Sequence, residues 1–110
     1  MINQIVLVGR ITKTPEIMEN QDGSKFAIIN LAISRTFKNE NGEYDTDFID
    51  CTLWKGIAEN ACEYCKKGDL VGVRGRVQNL NNTAQLQIIA EKVTFLSNKK
   101  QVNRKWKEEK

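Results

Sequence analysis

One stretch of the chain has helical periodicity, and its place between two blocks of short extended segments restricts the fold more than any other feature. In Ile57 to Lys67, IAENACEYCKK, the residues Ile57, Ala58, Ala61, Cys62 and Cys65 make an apolar stripe at helical spacing. Lys66 and Lys67 fall in the expected last turn, where cations suit the helix dipole, and Gly68 is the expected stop. Three extended segments precede this helix and two follow it.

The first, Ile2 to Thr12, has a nearly continuous apolar centre. That suits a strand buried on both faces, or one that buries one face and meets another subunit on the other. Gly9 inside it hints at a bulge or bend. Thr14-Pro15 breaks the pattern, and Asn20 to Ser24, NQDGS, is turn chemistry. The second strand, Phe26 to Phe37, offers Ile29, Leu31 and Ile33 to a core and Asn30, Ala32 and Ser34 to the other side. Asn41-Gly42 marks a hairpin. In the third strand, Asp45 to Trp54, Ile49, Cys51 and Leu53 form the core face, leaving Phe48, Asp50, Thr52 and Trp54 pointing away. The fourth strand runs from Asp69 to Leu80. Asn81-Asn82 is a two-residue turn, and the fifth strand, Thr83 to Leu96, is anchored by Leu86, Ile88, Val93, Phe95 and Leu96. The order strand, strand, strand, helix, strand, strand is that of an all-β OB-fold, a five-stranded Greek-key barrel with one helix between strands 3 and 4. Alternating βαβ units are absent, which excludes a parallel Rossmann-type sheet.

A chain of 110 residues suits one domain, here residues 1–96, followed by a tail, 97–110, without apolar periodicity, expected to be disordered. The net charge is +3, but residues 1–96 carry eleven Lys/Arg against twelve Asp/Glu, and 97–110 carry six against two. An anion-binding surface on the domain must therefore come from local clustering of its cations. The apolar run near the N-terminus is too short to cross a membrane or to act as a secretory core, so a cytoplasmic protein with no membrane partner is expected. Three cysteines, Cys51, Cys62 and Cys65, suit free thiols in a reducing compartment. Cys62 and Cys65 form a single C-x-x-C in a chain without histidine, two ligands short of a zinc site, and no cofactor or metal is expected.

Phe37, Phe48 and Trp54 stand among charged and polar residues on or beside the second and third strands. Either they fold into the core, the stronger objection for Trp54 at a strand end, or they lie on a surface as platforms for flat ligands. Single-strand nucleic-acid binding needs such rings for bases and cations for phosphates. Asp45, Asp47 and Asp50 raise a metal-dependent nuclease as a competing reading, but the chain offers no histidine and no general base to go with them. Trp106, flanked by Arg104, Lys105 and Lys107, is a possible further contact in the tail.

Three segments in order resemble the bacterial single-stranded DNA-binding protein family, in its short Gram-positive form. They are N-Q-I-V-L-V-G-R-I-T-K-T-P-E (Asn3 to Glu16), R-T-F-K-N-E-N-G-E-Y-D-T-D-F-I-D-C-T-L-W (Arg35 to Trp54) and A-E-N-A-C-E-Y-C-K-K-G-D-L-V-G-V-R-G-R-V-Q (Ala58 to Gln78); A-E-K-V-T-F-L closes the fifth strand. The resemblance implies a non-enzymatic OB-fold homotetramer, a dimer of dimers, that binds single-stranded DNA without sequence preference in replication, recombination, repair or transfer. It places base-stacking rings at Phe37, Phe48 and Trp54, and phosphate contacts at Arg10, Lys13, Arg35, Lys38 and Lys55, extending to Lys67, Arg74 and Arg76. Two departures stand out. The arm that the family carries between its fourth and fifth strands shrinks here to Gln78–Asn82, with no ring and no charge. In place of the family's acidic tail stands K-W-K-E-E-K, so tail-mediated recruitment of other proteins is not expected. These departures sustain a second expectation, an OB-fold adaptor of primosomal type whose main partner is protein.

Overall fold

The computed structural model describes residues 1–97. Of the tail only Ser97 is described, its hydroxyl accepting from the Leu70 amide at 2.6 Å; residues 98–110, Trp106 among them, lie outside the described residues. In chain order the elements are β1 (Ile5–Ile11), β2 (Met18–Glu19), β3 (Lys25–Lys38), β4 (Tyr44–Trp54), α1 (Lys55–Tyr64), β5 (Leu70–Asn79) and β6 (Leu86–Phe95). The sheet order is β1-β5-β6-β4-β3-β2, and an additional pairing of β1 with β3 closes five of the strands into a barrel. All pairings are antiparallel except β4 with β6. This is the OB-fold that the element order implied.

Alternation explains the core. Ala27, Ile29 and Leu31 of β3 and Cys51 and Leu53 of β4 are fully buried, joined by Ile11, Val71, Val73 and Ala90 from the other strands. Ala58 and Ala61 bring the apolar side of α1 down on them, with Cys65 buried just beyond its end and Ile57 and Cys62 packed at the margin. Among the described residues the core holds no buried polar or charged side chain. The expected anchors of the last strand hold only in part: Ile88, Val93 and Phe95 pack against the core, whereas Leu86 and Leu96 are exposed.

Closure depends on two glycines. A Cβ on Gly9 would lie 2.7 Å from Ile33 Cγ1 and 2.8 Å from the Ala32 carbonyl oxygen, because β1 crosses β3 there. A Cβ on Gly75 would collide with the Ile89 carbonyl at the bulge where the β5–β6 register shifts. The bend expected at Gly9 is thus a close approach between backbones.

Several boundaries differ from the sequence reading. Strand β2 is two residues long and pairs with Lys25 and Phe26, too short to leave an alternation signal. The helix ends at Tyr64, so Lys66 and Lys67 do not occupy its last turn. Competing acceptors unwind it: Asp69 Oδ2 accepts from the Lys66 amide, Thr14 Oγ1 from the Lys67 amide and the Ile11 carbonyl from the Gly68 amide. Gly68, at φ +93°, serves this turn and does not cap the helix. The β3–β4 connection is wider than a two-residue Asn-Gly turn. Asn39 Oδ1 accepts from the amides of Asn41 and Glu43, and only Gly42 in that loop has positive φ, +77°. Asn81 and Asn82, at φ +47° and +61°, do form a tight turn, bridged by the Thr83 amide donating to the Leu80 carbonyl, but the last strand begins at Leu86 and not at Thr83, because the Leu80 amide bonds the Gln85 carbonyl across a wider loop.

The three thiols are free, and Cys51 and Cys65 are buried. Burial, with Asp50 nearby, pushes the Cys51 thiol up to about 11, and burial with Asp69 and Cys62 pushes Cys65 up to about 12. The folded state therefore holds these protons more tightly than the unfolded chain, whose thiols titrate near 9.0. Their contribution to stability is fully present below pH 9.0 and is lost as pH rises toward 11 and 12. Urea midpoints should fall over that window, and the fall should be smaller in a Cys51→Ala/Cys65→Ala variant. Gly75→Ala should cost about 1–3 kcal/mol or more by overpacking, read as a lowered urea midpoint.

Candidate nucleic-acid interface

Residues that face one another across an antiparallel ladder share a side of the sheet. With Ile49, Cys51 and Leu53 turned inward, the even-numbered residues of β4 from Tyr44 to Trp54 point outward. The register then lays out a grid. Arg10 of β1, Ala32 of β3 and Phe48 of β4 form one row. Asn30 and Asp50 form the next, then Ile28 and Thr52, then Met18, Phe26 and Trp54. At the far end of the hairpin Lys38 stands opposite Tyr44.

The rings differ in their support. Phe48 is 66% exposed and Phe37 62%. Phe37 lies in a bulge, between the pairs Ser34–Thr46 and Lys38–Tyr44, where three residues of β3 face one of β4. Trp54 is half-buried, its ring 5.1 Å from that of Phe26 and tilted by 38°. It is neither part of the buried core nor a free platform; one side of it is covered. Tyr44, 56% exposed, belongs to the same outward set, and Lys38 Nζ lies 5.9 Å from its ring centroid. Sequence reading left Tyr44 in the turn, although its even number places it in phase with Phe48 and Trp54. At ~3.3 Å per residue the rings of Phe48 and Trp54 are rooted about 20 Å apart along β4.

The expected cations separate into groups. Arg10, Lys13, Lys38 and Lys55 are exposed around the β3–β4 face and make no ion pair among the described residues. Arg10 Nη1 donates to the Gly68 carbonyl at 3.1 Å. Lys55 follows Trp54 directly, with φ +53°. Lys67 is exposed, with its amide tied to Thr14 beside this face. Arg35 is bound instead to Asp47: Nε and Nη2 donate to the two carboxylate oxygens at 3.1 and 2.9 Å, and Asp45 lies 3.9 Å from Nη1. The hydrogen bonds from Arg35 hold the Asp47 carboxyl below its ordinary range. Arg74 and Arg76 lie on β5, which neighbours β1 and β6 rather than β3 or β4. Arg76 pairs with Glu91 at 3.1 Å, and Arg74 faces Lys92.

The acidic residues behind the nuclease reading each have a partner. Asp45 accepts from Asn39, Asp47 from Arg35 and Asp50 from Asn30. Among the described residues no three His, Cys, Asp or Glu cluster closely enough to hold a metal ion. The unequal support of the rings has a measurable consequence. Phe48→Ala should change folding stability by no more than about 0.5 kcal/mol, as an exposed substitution does. Trp54→Ala should cost at least about 1 kcal/mol, because it removes an aromatic pair and its packing. Denaturant titration distinguishes the two.

Comparison with known proteins bears on the family and the fold. Residues 2–96 match the model of the single-strand binding protein family. Single-stranded DNA-binding protein B of Bacillus subtilis (strain 168) is 42% identical over 106 residues, spanning 90% of this chain and 94% of that protein. Single-stranded DNA-binding protein A of the same organism is 43% identical, and protein 3 of Listeria innocua 44%; the chain spans 62% and 66% of their respective lengths. A crystal structure of a deletion mutant of the single-stranded DNA binding protein from Thermus aquaticus superposes with a TM-score of 0.69 at 25% identity, covering 86% of this chain and 50% of that one. Fold, motif order and sequence identity converge, and the chain belongs to the single-strand binding protein family.

Proposed function

We propose that this protein binds single-stranded DNA through the outer face of β3 and β4, without reading base sequence through most of its contacts, in replication, recombination, repair or transfer. The observation that carries this reading is the outward row of Tyr44, Phe48 and Trp54, with Phe37 beside it and Arg10, Lys13, Lys38 and Lys55 around it. Rings in that setting stack on bases, each contributing about 1–3 kcal/mol, and the cations neutralise phosphates between them. The protein acts by binding, not by chemistry, in the cytoplasm; no helix among the described residues is long and apolar enough to cross a membrane. Residues 1–96 are the binding domain. Arg35, Arg74 and Arg76 contribute less than the other cations, since Arg35 and Arg76 are ion-paired and β5 lies away from the rings.

The same reading takes the chain to be a homotetramer, a dimer of dimers. Val6 and Val8 on the outer side of β1 are 65% and 49% exposed, beside Gly72 of β5 and the exposed Leu96. An apolar strip on a strand is suited to cover by a second copy. Val8→Lys should lower the mass in solution, measured by light scattering, while circular dichroism stays that of the folded protein.

Binding is tested by titrating oligo-dT against tryptophan fluorescence. Saturable quenching is expected, because Trp54 lies on the face. Phe48→Ala should weaken affinity about fivefold or more, equivalent to about 1 kcal/mol. Four phosphate neutralisations per subunit give a log–log salt slope of about −3. Absence of quenching and of any mobility change at low salt would sink the proposal.

A further inference from the structure

Between the rings of the binding face lies a groove that stacking and phosphate contacts leave unexplained. Its walls include Lys13, Glu16, Met18, Ile28, Asn30 and Asp50, and its volume is about 240 Å³. That is smaller than the ~300 Å³ or more of pockets that hold larger organic ligands, and it suits a single planar base. Asp50 lies two residues from Phe48 and four from Trp54 along β4, in the middle of the outward row.

The polar side chains of the groove are fixed in orientation. Thr12 Oγ1 donates to Asn30 Oδ1 at 2.7 Å, with the Asn30 carbonyl a second, longer acceptor at 3.3 Å. The oxygen of the Asn30 amide is thereby turned toward β1 and its nitrogen toward β4. Asn30 Nδ2 donates to Asp50 Oδ1 at 2.8 Å. Asp50 Oδ2 receives no hydrogen bond from the described residues. A carboxylate accepts and does not donate. The middle of the face thus presents acceptors, with Met18 and Ile28 as apolar walls. Glu16 adds a second carboxylate against the single cation Lys13, so the groove is net acidic and a base, not a phosphate, is the part of the strand that fits.

On the single-strand reading given above, we infer that this groove is a base subsite that selects Watson–Crick edges rich in hydrogen-bond donors, guanine before all others. In a single strand that edge is free for recognition. Guanine presents N1–H and N2–H side by side, one for the unengaged Asp50 Oδ2 and one for the remaining lone pair of Oδ1, which also accepts from Asn30 Nδ2. Cytosine and adenine offer one amino group each. Thymine offers one N–H flanked by two carbonyls, which turn lone pairs toward the carboxylate. The protein therefore binds any strand by stacking and charge, but one subsite per subunit ranks the bases guanine, then cytosine or adenine, then thymine.

The test compares oligo-dT with the same length of oligo-dT carrying isolated dG residues, spaced so that no quadruplex forms, and with dI at the same positions. Hypoxanthine keeps N1–H and lacks the exocyclic amino group. The wild-type protein should bind the dG-containing strand about tenfold more tightly than oligo-dT, as a bidentate base contact does, with dI between the two. In Asp50→Asn the ratio of the two affinities should fall toward one, while oligo-dT binding tightens on loss of a negative charge. Thr12→Val, which frees the Asn30 amide to turn, should reduce the ratio in part and gives a second route should Asp50→Asn fold poorly. Equal wild-type affinity for oligo-dT and its dG-containing form overturns the subsite and leaves the single-strand reading standing. A guanine preference that persists in folded Asp50→Asn also overturns it. Failure to bind either strand overturns both.

Discussion

The register of the β3–β4 ladder sets both the core and the binding face. Each strand alternates, so the pairs Ala27–Leu53, Ile29–Cys51 and Leu31–Ile49 turn inward, while Ala32–Phe48, Asn30–Asp50 and Phe26–Trp54 turn outward. A slip of one residue in β4 would bury Phe48 and Asp50 and expose Cys51 and Leu53. Three local interactions hold the register. Asn39 organises the turn at one end, Asn30 bonds Asp50 across the middle, and Phe26 packs on Trp54 at the other end. The side chains that present the face therefore also fix the alignment on which the core depends.

Barrel closure adds the second border of that face. Because Gly9 lets β1 approach β3, Arg10 comes level with Ala32 and Phe48, and Thr12 reaches Asn30. The loop that follows carries Lys13 past the outer side of β3, where the Lys67 amide anchors it through Thr14 and Pro15 is buried. The turn after α1 thus holds a wall of the groove in place, and it does so with the backbone donors that would otherwise have extended the helix. The helix stops where it does because its next amides are engaged by the barrel and by Asp69.

Alternation made the strands, the core face and the outward positions of Phe48 and Trp54 readable in the sequence, since period two is a local property. What stayed hidden depends on partners distant in sequence. Nothing near Arg35 shows that Asp47 will take its guanidinium, because the pair forms only when β3 and β4 align. Lys67 and Gly68 looked like a helix end because their acceptors, Thr14 and Ile11, lie more than fifty residues away; only the acceptor of the Lys66 amide, Asp69, is local. Strand β2 exists only through its pairing with Lys25 and Phe26. Tyr44 was legible in phase but masked by its place beside Asn41-Gly42, where turn chemistry dominates the reading.

The folded domain carries slightly more acid than base, so its affinity for an anionic polymer rests on where its charges are neutralised. Arg35 and Arg76 lose their fields to Asp47 and Glu91. The cations beside the rings that make no ion pair with the described residues are Arg10, Lys13, Lys38 and Lys55. The short β5–β6 connection, turned by Asn81 and Asn82, contributes neither ring nor charge. In the proposed function this concentrates binding on one hairpin, where stacking and hydrogen bonding to bases supply a large share and phosphate neutralisation a small one. A carboxylate at the centre of such a face repels the backbone, and in the proposed subsite a base edge that donates to it offsets that repulsion. On that proposal Asp50 contacts bases and not phosphates.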